Sequence, residues 1–155
     1  MKNIRADQRK EVGMSHIRKK TVAGLEIGET FSVSRTFSEL DVAQFADVSR
    51  DCNPVHFDER FSKVKNFDGR ICHGLLVASL ITAIGGQIGW LASGMTFEFK
   101  KPVHFRDTIK CDFTITEMDA RGRAKAEAVF ANEKAQQYWK PPYSASFQAS
   151  RKNRS

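Results

Sequence analysis

With 155 residues, 41% hydrophobic content and 12 phenylalanines against 4 prolines, the chain has the makings of one packed domain and excludes a low-complexity or disordered protein. The net charge of +7 does not describe a nucleic-acid interface: residues 1–20 hold seven Lys/Arg against Asp7 and Glu11, residues 151–155 add Arg151, Lys152 and Arg154, and the body between them is left at −1. Cys52, Cys72 and Cys111 are odd in number, lack a C-x-x-C pairing and follow no secretory segment, and the longest apolar run, Leu75 to Ile84, falls short of the roughly 20 residues of a membrane helix, so a cytoplasmic protein with reduced thiols and no membrane partner is expected.

In chain order, residues 1–20 read as a basic flexible arm, residues 21–150 as a single domain and residues 151–155 as a basic tail. After a glycine-containing loop over 21–30, Phe31, Val33 and Phe37 share one parity and predict a short strand. Ser38 and Asp41 have the spacing of a capping box, and Val42, Phe45 and Ala46 recur at helical spacing as far as Ser49. Pro54 lacks a backbone donor and disfavours helix at Asn53, which makes Asp51 to Asp58 a turn or loop. Phe61, Val64 and Phe67 are expected to pack the polar stretch 59–70 as a helical turn or an ordered overhang.

Gly74 to about Gly89 has almost no polar face and predicts a helix buried nearly all round. Met95, Phe97 and Phe99, then Ile109, Cys111, Phe113 and Ile115, alternate as strands; Ala124, Ala126, Ala128 and Phe130, then Tyr143, Ala145, Phe147 and Ala149, do the same. Turn material at 119–122 and 132–134 joins them into an antiparallel meander, and Pro141-Pro142 predicts a bulge, edge or break before the last strand. The layout is α+β, a curled antiparallel sheet wrapped around one long buried helix.

Chemistry concentrates in Asp51-Cys52-Asn53-Pro54-Val55-His56-Phe57-Asp58 and in Cys72-His73-Gly74. A carboxylate and an imidazole five residues apart across a turn can exchange protons with one water. Taken singly, Asp51 reads equally as a turn cap and His56 as a packed histidine; Asn53 is a turn-former before Pro54 or an orienter of the loop. Gly74 opens the helix, where free N–H groups and the helix dipole favour an anion and a missing side chain lets a ligand approach. His73 is read as fixing the helix entrance. Cys52 and Cys72 sit in no nucleophile pattern, and Asp51, His56, Asp58 and His73 lack the spacing of a metal site.

The D-x-N-P-x-H-x-D string over 51–58, followed by His73-Gly74-Leu75-Leu76 and Lys101-Pro102-Val103, resembles the MaoC-like (R)-specific enoyl-CoA hydratase family over roughly residues 31–130. The resemblance implies a hotdog fold, a homodimer, and reversible addition of water to a trans-2-enoyl-CoA, with the CoA thioester as substrate and no cofactor or metal. It implies Asp51 and His56 as the catalytic pair, the Gly74 N–H as the oxyanion hole, and Asn53 and Thr82 as substrate-binding residues, although the Thr82 hydroxyl has an equal claim to bond back to its own helix. Arg50 departs from the family's usual glycine before the aspartate; it either strains the turn or faces the phosphates of the substrate. An acyl-CoA thioesterase and a non-catalytic acyl-thioester binding module are the alternatives on the same fold.

Overall fold

The computed structural model describes residues 17, 21, 24–132 and 143–150, the last of these as strand backbone. Both basic termini, apart from Ile17, and the Pro141-Pro142 pair lie outside the described residues. Strand β1 (Thr30–Thr36) leads into helix α1 (Glu39–Ser49), a short 3-10 turn (Pro54–His56) and helix α2 (Glu59–Val64). Helices α3 (Gly74–Ala78) and α4 (Leu80–Ile88) follow, then strands β2 (Leu91–Phe99), β3 (Thr108–Met118), β4 (Arg123–Asn132) and β5 (Tyr143–Ser150).

The strands form one antiparallel sheet in the order β1-β3-β4-β5-β2. The expected meander therefore holds for β3, β4 and β5, whereas β2 pairs with β5 and forms an edge. It also starts at Leu91, earlier than its alternation shows, because a register shift between Ala92 and Gly94 breaks the period. A second shift between Ile115 and Glu117 bends β3 against β4. On the concave face Ile109, Cys111, Phe113 and Ile115 are buried opposite the helix residues Ile81, Ile84 and Ile88. The small Ala126 and Ala128 of β4 share that core, leaving room for the helix to lie close to the sheet.

Helices α3 and α4 are one helical run with a tightened turn at Ser79. The Ser79 N–H is shared between the Leu75 and Leu76 carbonyls, and its hydroxyl donates to the Leu76 carbonyl at 2.6 Å. The run is not buried all round, as its composition predicts: Leu75 is 57% exposed, and Thr82, Ala83 and Gly86 continue an exposed stripe on the same side. One face rests on the sheet, while among the described residues nothing covers the exposed stripe on the other. In α2 the expectation for Val64 fails in the same way; Val64 is exposed, and Ser62 is the fully buried residue.

The capping box at the start of α1 forms as expected: the Ser38 hydroxyl accepts from the Asp41 N–H, and the Asp41 carboxylate accepts from the Ser38 N–H. At the other end Arg50 adopts φ 63° and ψ 16°, the left-handed region, as the C-terminal cap, its N–H donating to the Ala46 carbonyl. The position does need the conformation that glycine reaches most easily.

Candidate active site

Two segments meet at the site. The first is the turn after α1, which the chain builds from its own polar side chains. Asn53 Oδ1 accepts from the Val55 N–H at 3.2 Å and caps the 3-10 turn, while the Asn53 N–H donates to Asp51 Oδ1 at 3.2 Å. Asp58 then caps α2 by accepting from the N–H groups of Arg60 and Phe61. The buried Ser62 hydroxyl donates to the Val55 carbonyl at 2.8 Å and ties the turn to α2. The spacing D-x-N-P-x-H-x-D is thus mostly scaffold: Asn53, Pro54 and Asp58 shape the loop that presents Asp51 and His56.

The second segment, Ile71 to Gly74, is pinned to the strand-like stretch before β3: Cys72 N–H donates to the Val103 carbonyl at 2.7 Å, and Ile71 bridges His104. This brings His73 and the start of α3 against the turn. His56 Nδ1 donates to the Ile71 carbonyl at 2.8 Å, which fixes its tautomer, because a carbonyl oxygen can only accept. The lone pair of neutral His56 is therefore on Nε2, which faces Asp51 Oδ2 at 3.8 Å. That span is too long for a direct hydrogen bond and short enough for one water to touch both atoms. The His56 side chain is 8% exposed and that of Asp51 is 51% exposed, so the pair is open to solvent from the carboxylate side. Burial, followed by the neighbouring His73, lowers the His56 pKa below its ordinary 6.5, against the opposing pull of the Ile71 bond and Asp51. His56 is thus a neutral base at neutral pH.

His73, read from the sequence as a structural residue at the helix entrance, lies inside this site. Its ring stacks on His56 at 3.7 Å between centroids and 30° between planes, and its Nε2 donates to the main-chain carbonyl of Asp51 at 2.9 Å. The ligand atoms of Asp51, His56 and His73 lie within 4.8 Å of one another, a grouping with the composition of a metal site. Their hydrogen bonds oppose that use. His73 Nε2, the nitrogen on the cluster side, carries a hydrogen, so only Asp51 and His56 Nε2 present lone pairs. The lone H-G dipeptide gives no sign of the stacking, which arises only from folding.

Gly74 is the first residue of α3, and among the described residues its N–H donates to no protein acceptor. A Cβ there would stand 3.0 Å from the Phe99 ring, tighter than ordinary contact, so glycine suits the close approach of β2 unless that ring shifts. Beside it opens a small pocket of about 50 Å³, lined by Cys72, Gly74, Val77, Phe99, Val103 and Phe130 among others. Burial pushes the Cys72 thiol up to about 12, which removes it as a nucleophile near neutral pH. Thr82 is not joined to the turn: it stands on the exposed helix stripe and its hydroxyl donates to the Ser79 carbonyl at 2.7 Å, the back-bonded alternative. Asn53 likewise has its oxygen engaged in the turn.

Comparison with known proteins adds four findings. The sequence model of the MaoC like domain family matches residues 22–137. The chain is 35% identical over 96 residues to an (R)-specific enoyl-CoA hydratase of Aeromonas caviae, covering 59% of this chain and 72% of that protein. To an (R)-specific enoyl-CoA hydratase of Rhodospirillum rubrum it is 36% identical over 93 residues, covering 57% of this chain and 65%, just under two thirds, of that relative's length. In three dimensions it resembles the solved structure of an (R)-hydratase from A. caviae involved in PHA biosynthesis, with a TM-score of 0.74 and 26% identity over 82% of this chain and 97% of that one.

Proposed function

Because the chain belongs to the MaoC-like dehydratase family and has its hotdog fold, we propose that it adds water reversibly to trans-2-enoyl-CoA, giving (R)-3-hydroxyacyl-CoA. The observation that carries this reading is the pairing of the Asp51 carboxylate with a neutral His56 whose free Nε2 faces it across the width of one water.

In the hydration direction the water held by Asp51 Oδ2 and His56 Nε2 attacks C3. One O–H bond breaks as the C3–O bond forms, and the released proton passes to the pair. The π electrons of the C2=C3 bond move onto the thioester oxygen, where the Gly74 N–H at the start of the helix stabilises the enolate. Collapse of the enolate takes the proton back from the pair to C2, so one water is added in full and the site returns to its starting state. Dehydration runs the same steps backwards. Every element of this sequence is supplied by the chain and the thioester, and no cofactor enters it.

The apolar pocket beside Gly74 receives the part of the substrate next to the thioester, with Asn53 holding the loop in shape and Thr82 left to a surface that meets a second copy. A homodimer fits the molecule: among the described residues β2 is an edge strand with Leu91 exposed, beside the exposed apolar stripe of Leu75, Ala83 and Gly86. The decisive test follows loss of the enoyl absorbance of crotonyl-CoA and identifies the stereochemistry of the 3-hydroxybutyryl-CoA formed. Formation of the (R) product without free thiol supports the proposal; release of CoA thiol with the double bond intact would establish a thioesterase instead.

A further inference from the structure

The stacked imidazole of His73 has no part in the steps above, yet it is built into the site from two directions. Its edge donates to the Asp51 main-chain carbonyl at 2.9 Å, and its face lies 3.7 Å from the His56 ring. It is 2% exposed, and Phe45 closes over it at 5.0 Å between ring centroids. With Nε2 donating, the neutral ring carries its lone pair on Nδ1, and that buried atom has no hydrogen-bond partner. An unpartnered buried acceptor opposes folding. Phenylalanine would fill the same aromatic space without that cost, but it could not hold the Asp51 carbonyl.

We propose that His73 is a positioning residue for the hydration reaction: its Nε2–H fixes the backbone of Asp51, and its ring face both orients His56 and disfavours a proton on it, so that carboxylate and lone pair stay one water apart. The inference rests on the hydratase reading of Asp51 and His56. Two imidazoles in face-to-face contact resist carrying two positive charges, and a proton on either raises the cost of a proton on the other. The groups facing His56 are the Asp51 carboxylate from the turn, His73 from the helix start, and the Arg70–Glu39 ion pair across the groove that His56 also lines. Arg70 and Glu39 are of opposite sign and paired at 2.6 Å, so their fields largely cancel at His56, and the unopposed neighbours are Asp51 and His73.

Two substitutions separate the two contacts. His73→Gln places a nitrogen donor near the old Nε2 position and removes the ring; His73→Phe keeps a ring and removes the donor. In crotonyl-CoA hydration, His73→Phe is expected to lower kcat about tenfold or more with little change in KM, because it frees the Asp51 carbonyl. His73→Gln, which keeps the donor and loses only the ring contact, should lower kcat less than His73→Phe does. In both variants the acid limb of the kcat/KM profile should move to higher pH, because the competing imidazole is gone. The same shift is to be read directly from the His56 ring signals in an NMR pH titration of wild type and His73→Gln, which needs no turnover. Unshifted His56 titration overturns the electrostatic role, and unchanged kcat in a folded His73→Phe overturns the positioning role. If wild type hydrates no enoyl thioester, the reaction assignment fails, while the NMR titration still decides whether His73 governs His56.

Discussion

His56 and Asp51 differ sharply in environment. One is enclosed and held in a single tautomer by a main-chain carbonyl; the other is half open to solvent. Replacing His56 by Gln or Asp51 by Asn keeps the volume and removes the proton acceptor, and each should lower crotonyl-CoA turnover by about a hundredfold or more. Since the folded His56 pKa is lowered from 6.5, kcat/KM should stay level as pH falls to 6.5 and decline only below it. The sign for stability agrees: the folded state binds fewer protons than the unfolded chain in the window just below 6.5, so stability is lost as pH falls through it. Gly74 makes a different residue-scale prediction. Gly74→Ala drives a methyl group into the Phe99 ring, costing about 1–3 kcal/mol of strain, and should reduce turnover. Phe99→Leu in the same chain should restore part of it, as measured by the same assay. Of these residues, Asp51, His56 and Gly74 stood out in the sequence as parts of strings that resemble the family's, and the fold brings them together. The stacking of His73 was not, because 17 residues separate it from His56 and only folding brings them face to face.

Among the elements, those whose period survives in the sequence are the ones the core uses. Alternation in β3 identified Ile109, Cys111, Phe113 and Ile115, all at 1% exposure or less, and the Ser38–Asp41 spacing marked the start of α1. The start of β2 was hidden because the irregularity at Ala92 and Gly94 breaks its alternation and an edge strand has less to bury. The exposed stripe of α3 and α4 was hidden for the opposite reason: apolar residues there predict burial, and the described residues do not provide it. Arg50 ends α1 in a left-handed conformation that costs a residue with a Cβ about 1–2 kcal/mol. Glycine would relieve this but gives back about 0.5–1 kcal/mol through its freedom in the unfolded chain. Arg50→Gly should therefore raise stability in urea denaturation by about 0.5 to 1 kcal/mol. A fall in stability would mean that the guanidinium holds contacts worth more than the backbone strain.

For the molecule as a whole, the three cysteines report how the site segments are enclosed. Cys111 lies in the sheet core and Cys72 behind the start of α3, both pushed up to about 12 by burial, while Cys52 is exposed on the catalytic turn. Under native conditions at pH 8, titration with a thiol reagent should find one fast thiol, lost in Cys52→Ser, and three after denaturation. Two fast thiols would mean that the Ile71–Gly74 segment opens readily from the Val103 stretch. Phe99 couples this interior to the outside. Its ring bounds the empty side of Gly74, yet it belongs to the edge strand of the sheet and is itself 54% exposed. Whatever seats against that edge therefore presses on a wall of the apolar pocket beside Gly74. Substitutions at Phe99 are therefore expected to change the shape of that pocket and the surface of the edge strand together.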